Sequence, residues 1–356
     1  MASHTHMYFK TDTTQTTTHV EWIQHKSLVA IVDGINLTKE LITKPANIVT
    51  PDYLTEFCTK TFWTWHGIRV NVLGKKDLEK EGMWCFLAVS QWSSFEPRLI
   101  TLEYAPKWTE KEAPLVLVWK WLCYDNGWMY MKPYPHANDM HGDMWWAATV
   151  LGVMSALHKL WIKKRVVWAI WVTENMVDAL AYRNGDVLTA RNGKTVFVEH
   201  SDAEWRLVLA DVLSYVSDTY TPRMIIDFAT LTWACVRALG EMYTGIIWYN
   251  QKVIDTIKKI WDNETNEKVR QLPLDKDCTQ ALTKTVADLS NVGSLDGMMW
   301  ASTAAAFLSN FVGDTNKRIH CDIAGTSWRD KMRRSYDSIK WVWTWAMVHT
   351  ILEYIM

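Results

Sequence analysis

Residues 113–133 read APLVLVWKWLCYDNGWMYMKP. Leu115 to Trp119 is a continuous apolar run, as expected of a strand buried on both faces of a parallel sheet. It leads into two lysines, Lys120 and Lys132, and an aspartate, Asp125, crowded by Trp119, Trp121 and Trp128. A lysine flanked by hydrophobes usually keeps its ammonium in water. One that is buried needs a partner or a reason to be neutral.

Outward from this run, apolar strands alternate with helical periodicities. IRVNVL alternates as a strand, CFLAVSQ and PRLITLEY are further short β candidates, and RVVWAIWV, KTVFVEH, RMIIDFATL, GIIWYN and IHCDIAG complete the set. Helices are predicted at TPDYLTEFCTKTF, which has a Thr-Pro start, at DMWWAATVLGVMSALHKL and at DAEWRLVLADVLSYVSD. ACVRALGE, QKVIDTIKKIWDN, ASTAAAFLSNFV and VWTWAMVHTILEYIM follow, with a polar loop at RQLPLDKD. Such alternation predicts an α/β fold with a mixed, largely parallel sheet sandwiched between helices. Residues 1–34 are read as a leader, in which Val20–Val32 could supply a strand or short helix, and residues 35–356 as one catalytic domain.

With 38 basic against 39 acidic residues, no field for binding polyanions is expected, which disfavours nucleic acid as a partner. The six cysteines form no CxxC pair and read as reduced, buried thiols. No uncharged apolar run reaches the length of a membrane span, and the Thr-rich N-terminus lacks a secretory core, so the expectation is a cytoplasmic, membrane-free protein. One figure is abnormal: tryptophan (23) outnumbers phenylalanine (9) and tyrosine (13), while the 15 glycines are about 4% of the chain against a usual ~7%.

Two clusters carry chemistry. In DAEWR, Asp202 and Glu204 would share one side of an extended backbone at a strand-to-helix junction, where such sheets place active sites. Arg206 follows near a helix N-terminus, which favours an anion. The bland reading is a helix cap with a surface ion pair. The second cluster gathers Lys120, Asp125, Lys132, Asp139 and Asp143 in one strand–loop–helix passage. Converging carboxylates repel unless cations intervene, so a divalent pair is plausible; for this passage alone a solvated loop is the simpler reading.

Taken in order, WKWLCYDNGWMYMKP, MHGDMWWAA, HSDAEWRLVLAD and DFATLTWA resemble the catalytic motifs of the M17 leucyl aminopeptidase (cytosol aminopeptidase) family. LITKPANIVTP, TENM, NGDVLTARNGKTVFV, ADLSNVG and HCDIAGT fit in the same order, so the resemblance covers roughly residues 35–356. It implies the family's zinc-exopeptidase (phosphorylase/hydrolase-like) fold and a two-metal aminopeptidase that removes an N-terminal residue, leucine by default, from peptides with a free N-terminus. By that resemblance Lys120, Asp125, Asp143, Asp202 and Glu204 are the ligands of two divalent ions (zinc, manganese or magnesium). Lys132 polarises the scissile carbonyl, Arg206 holds a bicarbonate acting as general base, and a metal-bridged hydroxide is the nucleophile. Met140, Thr230, Leu231, Trp233 and Ala324 line the substrate site. Residues 1–34 would be a remnant of the family's N-terminal domain, and the implied assembly is a homo-hexamer. A ligating lysine must be the neutral amine, which burial beside a dication provides.

The departures are systematic. Trp119, Trp121, Trp128, Trp146, Trp205 and Trp233 stand at family glycine positions, and Trp84, Trp92, Trp168 and Trp345 at further ones. Each such change in a packed site risks on the order of 1–3 kcal/mol of overpacking, so the backbone is expected to have adjusted around them. The alternative to a working enzyme is a catalytically impaired or redesigned relative that keeps the fold, with Trp at active-site glycine positions blocking turnover. Retention of all seven ligand and catalytic residue types favours the working enzyme. A third class, a non-catalytic protein using its tryptophans as stacking platforms, would show them exposed on one face.

Overall fold

The computed structural model describes residues 18–63, 65, 67–125, 145–176, 179, 181–260, 267–293, 298–327 and 348–356. Its strands are β1 (Ile68–Leu73), β2 (Arg98–Tyr104), β3 (Leu115–Asp125), β4 (Val166–Asn175), β5 (Val187–Thr189), β6 (Thr195–Phe197), β7 (Met224–Ala229), β8 (Thr244–Ile247), β9 (Val269–Gln271), β10 (Leu289–Ser290) and β11 (Arg318–Asp322). Its helices are α1 (Thr18–Thr43), α2 (Pro51–Phe62), α3 (Lys75–Lys80), α4 (Trp84–Ser90), α5 (Trp145–Leu160), α6 (Glu204–Tyr220), α7 (Trp233–Leu239), α8 (Gln251–Ile260), α9 (Lys276–Gln280), α10 (Trp300–Ser309), α11 (Ala324–Ser327) and α12 (Val348–Ile355).

Eight strands form the central sheet in the order β1-β2-β4-β3-β7-β11-β8-β9, and β10, β6 and β5 form a small second sheet. The centre β4-β3-β7-β11 is parallel, whereas β1, β2 and the β11–β8 pair run antiparallel. The expected mixed, largely parallel sheet between helices is therefore what the chain builds. Odd-numbered residues of β3 from Leu115 to Cys123 join one core with residues of α2, α5, α8 and α12. Val116, Val118 and Leu122 join the other with residues of α4, α6 and α10. A strand buried on both faces loses its alternation, which is why β3 and β4 read as unbroken apolar runs.

Local signals behave as expected at several termini. Thr50 caps α2 by accepting from the Tyr53 N–H at 3.2 Å, with Pro51 in the first turn. Gly34 of α1 and Gly152 of α5 face each other's backbone with no room for a Cβ on either, and so bring the two helices into close contact. Two expectations fail. CFLAVSQ forms helix α4, not a strand: Cys85, Phe86, Ala88 and Val89 are all buried, at helical spacing against the sheet. RQLPLDKD is not wholly loop, since Arg270 and Gln271 extend the edge strand β9 beside β8. The segment in which a strand or short helix was expected, Val20–Val32, lies within the long helix α1, which runs on to Thr43.

The tryptophans divide by backbone setting. Trp119, Trp121, Trp168 and Trp171 are fully buried in the central strands, and Trp119 stacks on Phe228 at 3.9 Å. Trp63, Trp84, Trp108, Trp161 and Trp233 are exposed. Trp63 and Trp84 bound α2 and α4, which pack on opposite faces of the sheet, so these exposed indoles form no single stacking face. Trp128 and Trp345 lie outside the described residues.

Candidate functional site

The site forms at the C-terminal end of β3, and a bulge decides it. Lys120 pairs with Trp171 and projects to the α6 side, with Val118 and Leu122. Counting on by twos would put Asp125 on the opposite face. Between Leu122↔Thr173 and Asp125↔Asn175, however, β3 spends three residues against two of β4. The extra residue returns Asp125 to the face of Lys120, a usual way for a bulge to re-aim a side chain at an active site. Asn175 Nδ2 then donates to Asp125 Oδ1 at 2.9 Å, in a setting where both are buried.

Asp202 and Glu204 come together by a different route from the one the sequence suggests. They do not share an extended strand. Asp202 lies in a turn and Glu204 opens α6 after Ala203, whose φ is −102° and ψ 40°. The turn is clamped from several sides. Asn291 Oδ1 accepts from the N–H of Glu199 (2.8 Å) and His200 (3.2 Å), and its Nδ2 donates to the His200 carbonyl at 2.7 Å. Asn184 Oδ1 accepts from Ser201 N–H at 3.1 Å, the Tyr182 hydroxyl donates to the Ser201 carbonyl at 2.7 Å, and Asp202 N–H donates to His200 Nδ1 at 3.2 Å. Carboxylate oxygens of Asp125, Asp202 and Glu204 thereby lie within 4.8 Å of one another. Burial and the charges of these three acids push the Tyr182 hydroxyl well above its ordinary range.

Such a donor set, hard, anionic and largely buried, suits a divalent cation. The lysine expected to join it, Lys120, is fully buried and its Nζ rests on the indole face of Trp205. Lys132, Asp139, Met140 and Asp143 lie outside the described residues.

Arg206, in the first turn of α6, is also buried. Its Nη1 donates to the Asn291 carbonyl at 2.6 Å, while its buried Nε meets no acceptor among the described residues. Desolvation pushes its pKa down to about 10, against the pull of Glu204 and Asp322. A buried cation with a spare donor fits a small anion such as bicarbonate.

A second hydrogen-bond cluster is organised by Asp322, at the end of β11. Its Oδ1 accepts from the N–H of both Leu231 and Ala324, each at 3.2 Å, and its Oδ2 accepts the Thr232 hydroxyl at 2.7 Å. Thr232 in turn caps α7 by accepting from Cys235 N–H at 3.0 Å. Leu231 and Ala324 are thus held beside one another and Thr230 adjoins them, whereas Trp233 is 69% exposed at the start of α7. Burial raises the Asp322 carboxyl, although His320 and these donors counter it.

Sequence reasoning assigns no role to Asn291, Asp322, Tyr182 or Asn175, although ADLSNVG, HCDIAGT and TENM stand out as motifs. The only signal is polarity inside otherwise apolar surroundings.

The profile of the cytosol aminopeptidase family, catalytic domain, matches residues 36–351. A probable cytosol aminopeptidase of Nitratidesulfovibrio vulgaris is 39% identical over 302 residues, which are 85% of this chain and 59% of that protein. One of Geobacter sp. is 38% identical over 303 residues (85% and 60%), and one of Legionella pneumophila 37% over 320 (89% and 65%). The chain thus spans about three-fifths of the length of these relatives. Among solved structures, the bottromycin maturation enzyme BotP superposes with a TM-score of 0.83 at 29% identity, over 92% of this chain and 70% of that one.

Proposed function

This chain belongs to the cytosol aminopeptidase family, and from that premise we propose that it is a metal-dependent aminopeptidase removing the N-terminal residue, leucine by default, from peptides with a free N-terminus. The observation that carries the reading is the convergence of Asp125, Asp202 and Glu204 within 4.8 Å. Carboxylates so close and so buried repel one another in the absence of a cation.

In this reading Asp125, Asp202 and Glu204, together with Lys120 and Asp143, hold two divalent ions, zinc, manganese or magnesium. When bound, the ions supply Lewis-acid polarisation of the scissile carbonyl and activation of a water for attack. The rest falls to the protein. Arg206 would hold a bicarbonate through its spare Nε donor, and that anion, when bound, would supply general-base chemistry. Lys132 lends its charge to the developing oxyanion. Asp322, by fixing the backbones of Leu231 and Ala324, sets the wall against which the peptide lies with Met140, Thr230 and Trp233.

Residues 35–356 form the catalytic domain in this account. A cytoplasmic homo-hexamer is the assembly and location that fit the family. Among the described residues no helix is long and apolar enough to cross a membrane.

Hydrolysis of leucyl amide after manganese addition tests the proposal. Turnover in the native chain, lost together with bound metal in Asp202→Ala and Glu204→Ala, supports it. Metal bound without turnover selects the catalytically impaired relative, and neither metal nor turnover defeats the enzyme reading.

A further inference from the structure

Asp125 is held by a residue to which the metallopeptidase reading, on which this inference rests, gives no task. Asn175 closes β4 and is the cross-strand partner of Asp125 beyond the bulge. Its Nδ2 donates to Asp125 Oδ1 at 2.9 Å, and its side chain is fully buried. The opposite orientation of the amide would set its carbonyl oxygen against a carboxylate, so the donor side faces Asp125. The bond keeps the carboxylate from turning about its last torsion. It acts where one oxygen of Asp125 lies within 4.8 Å of oxygens of Asp202 and Glu204.

Two features set this bond apart from ordinary core packing. The donor is neutral. Asp227, on the same face of the sheet, is met by Arg318 Nε and His320 Nδ1, both at 2.6 Å, and the guanidinium offsets its charge. An amide fixes the direction of a carboxylate without offsetting its charge, which stays available to a cation. The amide is also poorly satisfied. Its Oδ1 is buried and meets no donor among the described residues. An unpartnered buried acceptor disfavours the folded state, so stability is not what this side chain supplies.

We propose that Asn175 is a positioning residue for the metal site. It sets the direction of the Asp125 carboxylate before an ion arrives, and it acts through Asp125 without touching ion or peptide.

Calorimetric titration of the full metal-free chain with manganese, beside thermal unfolding of the same metal-free chain, tests this. Asn175→Leu keeps the shape of the side chain and removes the donor. It should weaken manganese binding by about 10–100-fold, the usual effect of removing a partner that orients a ligating group. The melting temperature of the metal-free variant should stay level or rise. Hydrolysis of leucyl amide should lose kcat at limiting manganese and regain most of it at saturating manganese, with KM little changed. Asn175→Ala, which cannot overpack, guards against a folding defect in the leucine variant and should weaken binding to a similar extent.

Undiminished manganese affinity in a folded Asn175→Leu or Asn175→Ala chain would overturn the positioning role and leave the metallopeptidase reading standing. So would weaker binding matched by a lower melting temperature in both variants, since that is the mark of a structural residue. A native chain that binds no manganese would overturn both.

Discussion

Two clusters of buried charge lie on one face of the central sheet, one around Asp227 and one around Glu204. Asp227 is the β7 partner of Val118, two residues from Lys120 along the same face of β3. It is enclosed: Oδ2 accepts Arg318 Nε and Oδ1 meets His320 Nδ1, both at 2.6 Å, with all three side chains fully buried. Burial alone would raise the Asp227 carboxyl, but Arg318 and His320 outweigh it and hold it below the usual range. The guanidinium is further covered by the Trp248 ring at 4.4 Å. Around Glu204 the balance differs. Asp125, Asp202 and Glu204 converge within 4.8 Å, and Arg206 feels the charge of both Glu204 and the buried Asp322, so carboxylates outnumber the cations Lys120 and Arg206. A buried carboxylate matched by a guanidinium and an imidazole calls for no added cation, even though Arg318 Nη1 and Nη2 and His320 Nε2 meet no partner among the described residues. A cluster with surplus carboxylates favours an added cation, and that contrast separates scaffold from site.

Removing charge from each should therefore give opposite phenotypes. Glu204→Ala or Asp202→Ala should lower kcat/KM by about 1,000-fold or more, as expected for loss of a Lewis acid, and release the bound ion, with the melting temperature of the metal-free chain little changed. Leucyl-amide turnover, elemental analysis and calorimetry read these separately. Asp227→Ala should do the reverse. It strands Arg318 in a dry core, costing roughly 3–5 kcal/mol in denaturant unfolding, while metal bound per folded chain stays as in the native protein. Activity lost without loss of stability in Asp227→Ala would erase the distinction.

Asn291→Ala sharpens the comparison at intermediate scale. It frees the 199–203 turn from the Asn291 side chain while keeping the backbone carbonyl that anchors Arg206, so kcat should fall about tenfold with KM nearly constant, a positioning effect. A change in KM alone would mean the asparagine shapes the substrate pocket instead.

Another buried acid, Asp211, belongs to neither cluster. It accepts from Phe86 N–H at 2.9 Å and Arg191 N–H at 2.7 Å, yet burial lifts its pKa from 3.8 to about 7. A carboxyl that favours the proton more in the folded than in the unfolded chain stabilises fully below pH 3.8, and that contribution is lost as pH rises through about 7. Unfolding free energy should decline over this window, and Asp211→Asn should flatten the decline; an unchanged slope in the variant would assign it to other groups.

The smallest effect concerns tryptophans at backbone positions shaped for glycine. Trp161 follows α5 with φ 53°, where Ile162 N–H bonds the Leu157 carbonyl across the helix end. Trp108 has φ 77° at the third position of the turn closed by Thr109 N–H to the Pro106 carbonyl. Left-handed backbone costs a non-glycine residue about 1–2 kcal/mol, so Trp161→Gly and Trp108→Gly should each stabilise by up to about 1 kcal/mol in chemical denaturation. A loss of stability in either would show that the indole contributes packing there.

Much of this was legible in the chain. The apolar runs of β3 and β4 announced a doubly covered sheet, and the motif order announced the family, because both are patterns of residue type at fixed spacing. The carboxylates of the site were legible as candidates, but not the devices that assemble them. A one-residue bulge after Leu122 turns Asp125 to the face of Lys120, and a clamped turn, not an extended strand, joins Asp202 to Glu204. Bulges and turns depend on hydrogen bonds between distant segments, such as Asn291 with His200, which local periodicity does not record. Helix α4 reads as a strand for a related reason: seven residues, nearly all apolar, leave too little alternation to tell period 2 from period 3.6. The glycine-shaped settings of Trp108 and Trp161 needed φ itself.

The central claim is that Asp125, Asp202 and Glu204 hold a divalent ion, and anomalous scattering at the zinc edge from zinc-soaked crystals tests it most directly. The account predicts a peak about 2.0–2.2 Å from oxygens of these three side chains. A zinc-saturated crystal with no peak among them, or with its ion bound only elsewhere, would contradict it.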